Sequence, residues 1–449
     1  MEMVKDKNKS YIFNKGRMVI YLVLGGLLFS SCSIEKRLST KLNRDFKQSE
    51  ILKDHHVGFV LYDPVKGVPV FEENGDQYFI PASNTKLFTF YAALKMLGDS
   101  IPSLRYIERN DSLIFWGTGD PSFLQSRLKQ GNAWQFLKTT NRKLFLASGR
   151  HQEPFYGKGW SWDDYNDYYQ AEINEFPMMD NLVSVRAKQG KLQILPKSFQ
   201  ACFVVDSGRT QKPFNVLRKS GENSFHYPQG SIPEGFSQEI PYKLSLSTTL
   251  TLLSDTLHKP VGLVEMKMPE NARTIYNVPK DPLLKAMLQP SDNFIAEQLL
   301  LVCSDQLGEE LSTEKTIQYV LKTYLSDLPD SAVWVDGSGL SRMNLFTPRD
   351  MVVVLDLIYK NVNDRGRLFD LLPAGGKSGT LKNAYPKTDT PFVFGKTGTL
   401  SNVHNQSGYI LTKKGKLYIY SFMNNNFVAP VSKIRNEIGR IIMGVHEKF

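Results

Sequence analysis

Ser83 and Lys86 stand three positions apart in Pro81-Ala82-Ser83-Asn84-Thr85-Lys86-Leu87. On a helix that spacing puts both side chains on one face, so the amine can reach the hydroxyl. A serine hydroxyl is a poor nucleophile until a neighbouring base takes its proton. A lysine can be that base when burial and a nearby positive charge lower its pKa. Alone the pattern is weak, because Ser33…Lys36, Ser126…Lys129 and Ser312…Lys315 repeat it. Ser291-Asp292-Asn293 adds a second hydroxyl that could relay a proton. Its Asn amide can donate to a carbonyl and accept from an N–H. The same residues, before Phe294-Ile295-Ala296-Glu297, are also good helix-capping chemistry, and both roles can hold for different residues. Lys396-Thr397-Gly398-Thr399 follows the strand-like Phe392-Val393-Phe394-Gly395. A lysine on a sheet edge supplies positive charge for a carboxylate, the threonines add donors, and Gly398 lets a bound chain approach the backbone. Lys219-Ser220-Gly221 precedes S-x-N, and Lys377-Ser378-Gly379 follows a Gly-rich turn with no strand before it, so neither fits the third role.

These groups need elements to hold them. Val57–Tyr62 and Val68–Phe71 read as a hairpin around the turn Asp63-Pro64-Val65-Lys66-Gly67. Gly408–Leu411 and Leu417–Met423 read as a second, around Lys413-Lys414-Gly415. Val431, Ile434, Ile438, Ile441 and Ile442 have helical spacing, residues 34–48 favour helix, and helix continues from 87 to about 95. Strands from both chain ends could therefore share one antiparallel sheet with terminal helices packed on it. From about 100 to 270 the chain reads as short strands and loops, rich in Gly, Pro, Ser and aromatic residues. Helix returns from Pro282 to Cys303. A discontinuous α/β domain over 37–95 and 272–449, interrupted by a β-rich insert over 96–271, is the expected organisation.

Composition narrows the class. The chain has 449 residues, 41% hydrophobic and 22% charged, which excludes a disordered or collagen-like protein and supplies a sizeable core. The net charge is +10, spread out with no Lys/Arg block, which favours a basic soluble surface over a nucleic-acid groove. Residues 1–31 carry a basic start ending at Arg17 and a short apolar run, Met18–Phe29, too short for a comfortable transmembrane helix. Phe29-Ser30-Ser31-Cys32 then resembles a bacterial lipobox, so Cys32 is the expected lipidated first residue of an exported chain anchored on the periplasmic side of a membrane. Removing residues 1–31 takes away five positive and two negative charges and leaves +7. Cys202 and Cys303 could form one disulfide in an oxidising compartment, but two buried free thiols are the favoured expectation. The seven His are scattered and no H-E-x-x-H occurs, so no metal site is expected.

S-x-x-K, S-x-N and K-T-G in that order form the set carried by penicillin-binding proteins and class A β-lactamases. The chain resembles the D-alanyl-D-alanine carboxypeptidase/endopeptidases among the low-molecular-mass penicillin-binding proteins, in the branch with large insertions between the first two motifs. Pro81–Lys86, G-T-G-D-P (Gly117–Pro121), G-W-S-W-D-D (Gly159–Asp164), Ser291–Leu300, D-G-S-G-L-S-R (Asp336–Arg342) and Gly395–Leu400 carry the likeness. Lys377-Ser378 departs from it, where the family more often has an uncharged-then-acidic pair. The resemblance implies a penicillin-binding protein/serine β-lactamase-like fold, a mainly antiparallel sheet flanked by helices. It implies Ser83 as acylated nucleophile, Lys86 as base and Ser291 as proton relay. Asn293, Lys396, Thr397, Gly398 and Thr399 would bind substrate, with the Ser83 and Thr399 N–H groups as oxyanion hole, at about 3–4 kcal/mol per donor. Peptidoglycan stem peptides would be the substrate, β-lactams covalent inhibitors, and no cofactor is needed. Asp164 could reach an amino group of the stem peptide, as similar proteins do for diaminopimelate, or cap the surface beside core anchors Trp160 and Trp162. Phe155, Tyr156, Trp160, Trp162, Tyr165, Tyr168 and Tyr169 are expected to pack within the insert, although they could stack on glycan. Asp336–Ser341 reads as a tight loop near the site. A β-lactamase or esterase on the same fold, and a non-catalytic wall-binding scaffold, are the rival readings.

Overall fold

The computed structural model describes residues 35–129, 131–209 and 212–449; the leader and Cys32 lie outside them. A helix, α1, spans 35–47. Strands β1 (His56–Asp63) and β2 (Val68–Glu73) form the first hairpin, and a 3₁₀ turn, Ala82–Thr85, leads into α2 (Lys86–Met96). Strands β3 (Ser100–Arg109), β4 (Ser112–Gly117) and β5 (Lys143–Ala147) follow, with α3 (Asn132–Thr139) before β5. Then come β6 (Leu182–Lys188), β7 (Lys191–Leu195), β8 (Phe203–Asp206), β9 (Leu217–Arg218), β10 (Phe225–Pro228), β11 (Ser237–Pro241), α4 (Leu246–Leu257), β12 (Val261–Val264) and β13 (Arg273–Pro279). The rest is α5 (Lys280–Leu288), α6 (Asn293–Ser304), α7 (Thr313–Tyr324), α8 (Pro348–Val362), α9 (Arg365–Leu371), β14 (Val393–Leu400), β15 (Val403–Leu411), β16 (Leu417–Asn425) and α10 (Val431–Lys448).

The two chain ends meet in one antiparallel sheet, ordered β14-β15-β16-β1-β2. Its central strands are buried on both faces, which period-2 alternation explains. Ile419 and Met423 of β16 join Phe88, Leu299 and Leu355 from the helices on one side. Tyr418, Tyr420 and Phe422 join Leu38, Leu42, Ile434, Ile438 and Ile442 of α1 and α10 on the other. Each fully buried aliphatic side chain contributes about 1.5–3 kcal/mol of transfer free energy, so the terminal helices are held mainly by this apolar face.

The intervening chain builds three further sheets, β12-β5-β4-β3-β13, β11-β6-β7 and β8-β10-β9. The first of these continues to Pro279, past the expected border at 271, because β13 pairs with β3. Helices α3 and α4 interrupt the expected run of short strands. Helix α4 is rich in Thr, which disguises it as strand, yet Ser245 caps it by accepting from the Thr248 N–H at 3.0 Å, and His258 ends it in a left-handed conformation. The helical stretch expected over 282–303 is two helices, α5 and α6, divided at the capping residues. Ser291 sits between them at φ 66°, and the Asp292 carboxylate caps α6 by accepting from the Ile295 N–H at 2.8 Å. Cys202 and Cys303 are free, but only Cys303 is fully buried. Among the described residues no helix is long and apolar enough to cross a membrane, and no His/Cys/Asp/Glu group could hold a metal.

Candidate active site

Ser83 lies on the 3₁₀ turn and Lys86 opens α2. Ala82, just before the serine, is fully buried at φ 47°, a conformation that must be held by its surroundings. Two loops hold it. Glycine 398 of β14 packs against the turn so closely that a Cβ there would sit 2.6 Å from Pro81 O and 2.9 Å from Ser83 N. Gly339, at φ 81°, abuts the Ala82 carbonyl from the other side. Asn84 Nδ2 ties the turn to the sheet by donating to Ser407 Oγ at 2.8 Å.

Lys86 is fully buried, and its Nζ donates to Asn293 Oδ1 and Ser338 O, both at 2.7 Å, and to Ser83 Oγ at 3.1 Å. Burial pulls its pKa down to about 8, against the opposing pull of Glu297, Asp336 and Asp292. Ser291 Oγ accepts from Lys396 Nζ at 2.7 Å, and that amine also donates to Thr397 O at 2.6 Å. Burial, then the charge of Lys86, holds the Lys396 pKa well below its ordinary value. Thr399 Oγ1 lies 2.7 Å from His404 Nδ1, whose ring burial keeps neutral by lowering its pKa to about 3. Ser83, Ser291, Thr397 and Thr399 face one cleft of about 510 Å³, which Gly379, Thr380 and Lys382–Tyr385 also line.

All three motifs therefore meet in one place. Asp164 does not touch them directly. It is half-buried, its pKa raised by burial, and it hydrogen-bonds Tyr169. The Tyr169 carbonyl accepts from Asn293 Nδ2 at 3.1 Å, so Asp164 is linked to the S-x-N motif through Tyr169. The aromatic run departs from expectation. Trp162 is 84% exposed and Tyr168 62%, with Phe155 also exposed, so these three are not insert core. Trp160 is instead half-buried, packed on Ile173, Leu301 and Leu311, and donates from Nε1 to Asp336 Oδ2 at 3.0 Å.

Several residues had no assigned part in the sequence reading. Glu297, one helical turn after Asn293 and fully buried, accepts from the Gly337 and Ser338 N–H groups at 2.8 and 2.7 Å. It thereby aims the Ser338 carbonyl at Lys86. Burial and the neighbouring Asp336 raise its pKa to about 8. Asp336 accepts from the Gly339 and Ser341 N–H groups, closing the expected tight loop. Thr380 accepts from Thr397 Oγ1 at 2.7 Å; it follows Lys377-Ser378-Gly379, which forms no strand but does border the cleft. The intervening chain also grips α6. Gln298 Nε2 donates to Gly119 O and Asn174 O, both at 2.8 Å, and Arg127 pairs with Asp292.

A serine and a buried lysine in hydrogen-bond contact, beside S-x-N and an edge-strand K-T-G, define a serine hydrolase of the penicillin-binding protein and β-lactamase fold. The chain belongs to the D-Ala-D-Ala carboxypeptidase 3 (S13) family, whose model matches residues 38–441, and its enzymatic class is that of a serine-type D-Ala-D-Ala carboxypeptidase. It is 24% identical to the D-alanyl-D-alanine carboxypeptidase DacB of Haemophilus influenzae, over 90% of this chain and 92% of that one. It is 25% identical to the penicillin-sensitive carboxypeptidase A of Dictyostelium discoideum, over 85% of each. The solved penicillin binding protein 4 (dacB) of Haemophilus influenzae superposes with a TM-score of 0.70 at 20% identity, covering 90% of this chain and 99% of that one. The same protein complexed with a β-lactam gives 0.65 at 18%.

Proposed function

We propose that the chain removes the terminal D-Ala of peptidoglycan stem peptides and cleaves their cross-links through an acyl-enzyme on Ser83. The contact of Ser83 Oγ with the depressed-pKa amine of Lys86 carries this reading. Neutral Lys86 takes the Ser83 proton as Oγ attacks the penultimate D-Ala carbonyl. The oxyanion accepts from the Ser83 and Thr399 N–H groups, brought together where Gly398 packs on the turn. The C–N bond breaks, and Ser291 hands the leaving amine a proton drawn from the lysine pair. Water then hydrolyses the ester, with Lys86 again as base. Asn293 holds the peptide bond, while Lys396, Thr397 and Thr399 bind the terminal carboxylate. Strand β14 is a sheet edge, so an extended peptide can add beside it.

Asp164 pairs with a side-chain amine of the stem peptide, and β-lactams acylate Ser83. The peptidase domain is discontinuous, with the β-rich sheets inserted between its first two motifs. The protein works outside the cytoplasmic membrane, held by lipid on Cys32. Mass spectrometry of muropeptides after incubation with wild type and Ser83→Ala tests the reaction. Wild type alone should shorten pentapeptides by one D-Ala and split cross-linked dimers; equal, unchanged digests refute it.

A further inference from the structure

The end of the main sheet away from the cleft gathers four chain segments. Lys416 Nζ bridges Glu35 and Asp63 at 2.9 and 2.8 Å, and Lys66 also reaches Glu35 at 2.8 Å. The Lys413 N–H donates to the His446 carbonyl at 2.9 Å. The start of α1, both hairpin tips and the end of α10 are thus locked side by side. Two valines of the first tip face water, Val65 at 88% and Val68 at 46% exposure. The same four segments carry exposed Arg37, Lys413, Lys414 and Lys448, and the exposed acid Glu447. Exposed apolar residues and cations on the same segments match a surface of anionic headgroups over hydrocarbon. The length of chain outside the structure names the occupant: Cys32 lies three positions before Glu35, a reach of at most about 11 Å.

We propose that this end of the sheet docks on an anionic phospholipid surface, with Val65 and Val68 entering the headgroup region; the proposal rests on lipidation at Cys32. Strand β15 then runs outward from the membrane. From Leu411 at the docked end to His404 beside Thr399 it covers roughly 24 Å at about 3.4 Å per residue. Docking would fix the cleft at that height and point it away from the lipid.

The full chain, carrying a nitroxide on Val65→Cys or on Val428→Cys in a Cys202→Ser background, is reconstituted in phosphatidylethanolamine/phosphatidylglycerol vesicles. Val428 is 94% exposed and follows β16 at the cleft end, so it serves as the distal reference. The expected result is a label at 65 that relaxes several-fold faster with a lipid-borne nickel chelate than with an aqueous one, and the reverse at 428. Lys413→Glu with Lys414→Glu, or vesicles of phosphatidylcholine alone, should erase the difference while hydrolysis of a soluble stem peptide stays unchanged. Equal aqueous accessibility at both labels, with Cys32 shown by mass to be acylated, overturns the docking. An unmodified Cys32 in protein taken from its native membrane overturns the anchor, and the docking with it.

Discussion

Replacing Asn293 with Asp tests whether Lys86 is the base. The change is nearly isosteric and puts a carboxylate oxygen where Oδ1 now accepts from Lys86 Nζ at 2.7 Å. With a pKa of about 8, Lys86 is neutral in roughly a tenth of molecules at pH 7. An ordinary lysine at 10.5 would be neutral in about 0.03%, so burial, net of the opposing carboxylates, supplies roughly 3 kcal/mol of base readiness. A unit charge at 2.7 Å attracts the ammonium by about 6 kcal/mol at an effective dielectric constant of 20. That exceeds what burial took away, so the Lys86 pKa returns above about 10. Acylation by a fluorescent penicillin at pH 7 should fall at least about 100-fold. The acid limb of kcat/KM, near pH 8 in the wild type because the base must lose a proton, should move to about pH 10 or beyond. Asn293→Ala removes an acceptor and adds no charge, so it should weaken binding with the limb left in place or lowered. The Asp variant also loses the donor to the Tyr169 carbonyl, at about 1–3 kcal/mol of stability, so thermal melting accompanies the rates. A slow Asp variant whose limb has not moved would remove Lys86 from the role of base.

Gly398→Ala should lower acylation by about 10-fold or more and cost about 1–3 kcal/mol in chemical denaturation, because its methyl would press on Pro81 O and Ser83 N. Wild-type rates would show that the turn tolerates the strand moving off. Ligand carboxylates should be bound with uptake of up to one proton at pH 7. Lys396, whose partners Ser291 Oγ and Thr397 O are both uncharged, has its pKa held well below the ordinary value by burial and then by the charge of Lys86, and a bound anion would raise it. Calorimetry of Ser83→Ala with a D-Ala-D-Ala peptide in buffers of different ionisation enthalpy measures this; a buffer-independent heat refutes it. Asp164→Asn should raise KM about 3–10-fold for stem peptides with a free side-chain amine and leave kcat alone. An equal rise for the acetylated peptide would leave Asp164 a structural role only.

The residues that meet in the cleft were legible because each motif is short and its order along the chain is informative. The sheet was legible too, since hairpins and α10 announce themselves by period. Glu297 was readable in principle, being one turn from Asn293 on the same helix face. Thr380 and His404 were not. Their contacts with Thr397 and Thr399 depend on strand register and on a loop crossing the sheet edge, which no local pattern encodes. Helix α4 was hidden by β-branched Thr, whose propensity the Ser245 cap and burial of Leu252 and Leu253 override. The exposed Trp162 and Tyr168 show the opposite error, aromatic residues read as core because of their size.

The hold that the inserted chain keeps on α6 has a consequence for anyone seeking a minimal enzyme. Excising the insert would strip both acceptors from the Gln298 amide and leave Asp292 without Arg127, directly beneath Ser291 and Asn293. The loop between α5 and α6 would lose its brace while the serine–lysine pair stayed intact. Such a truncated protein should fail by losing turnover before it loses its fold. Substitutions that shift the Gly119 or Asn174 backbone should then reach catalysis through α6.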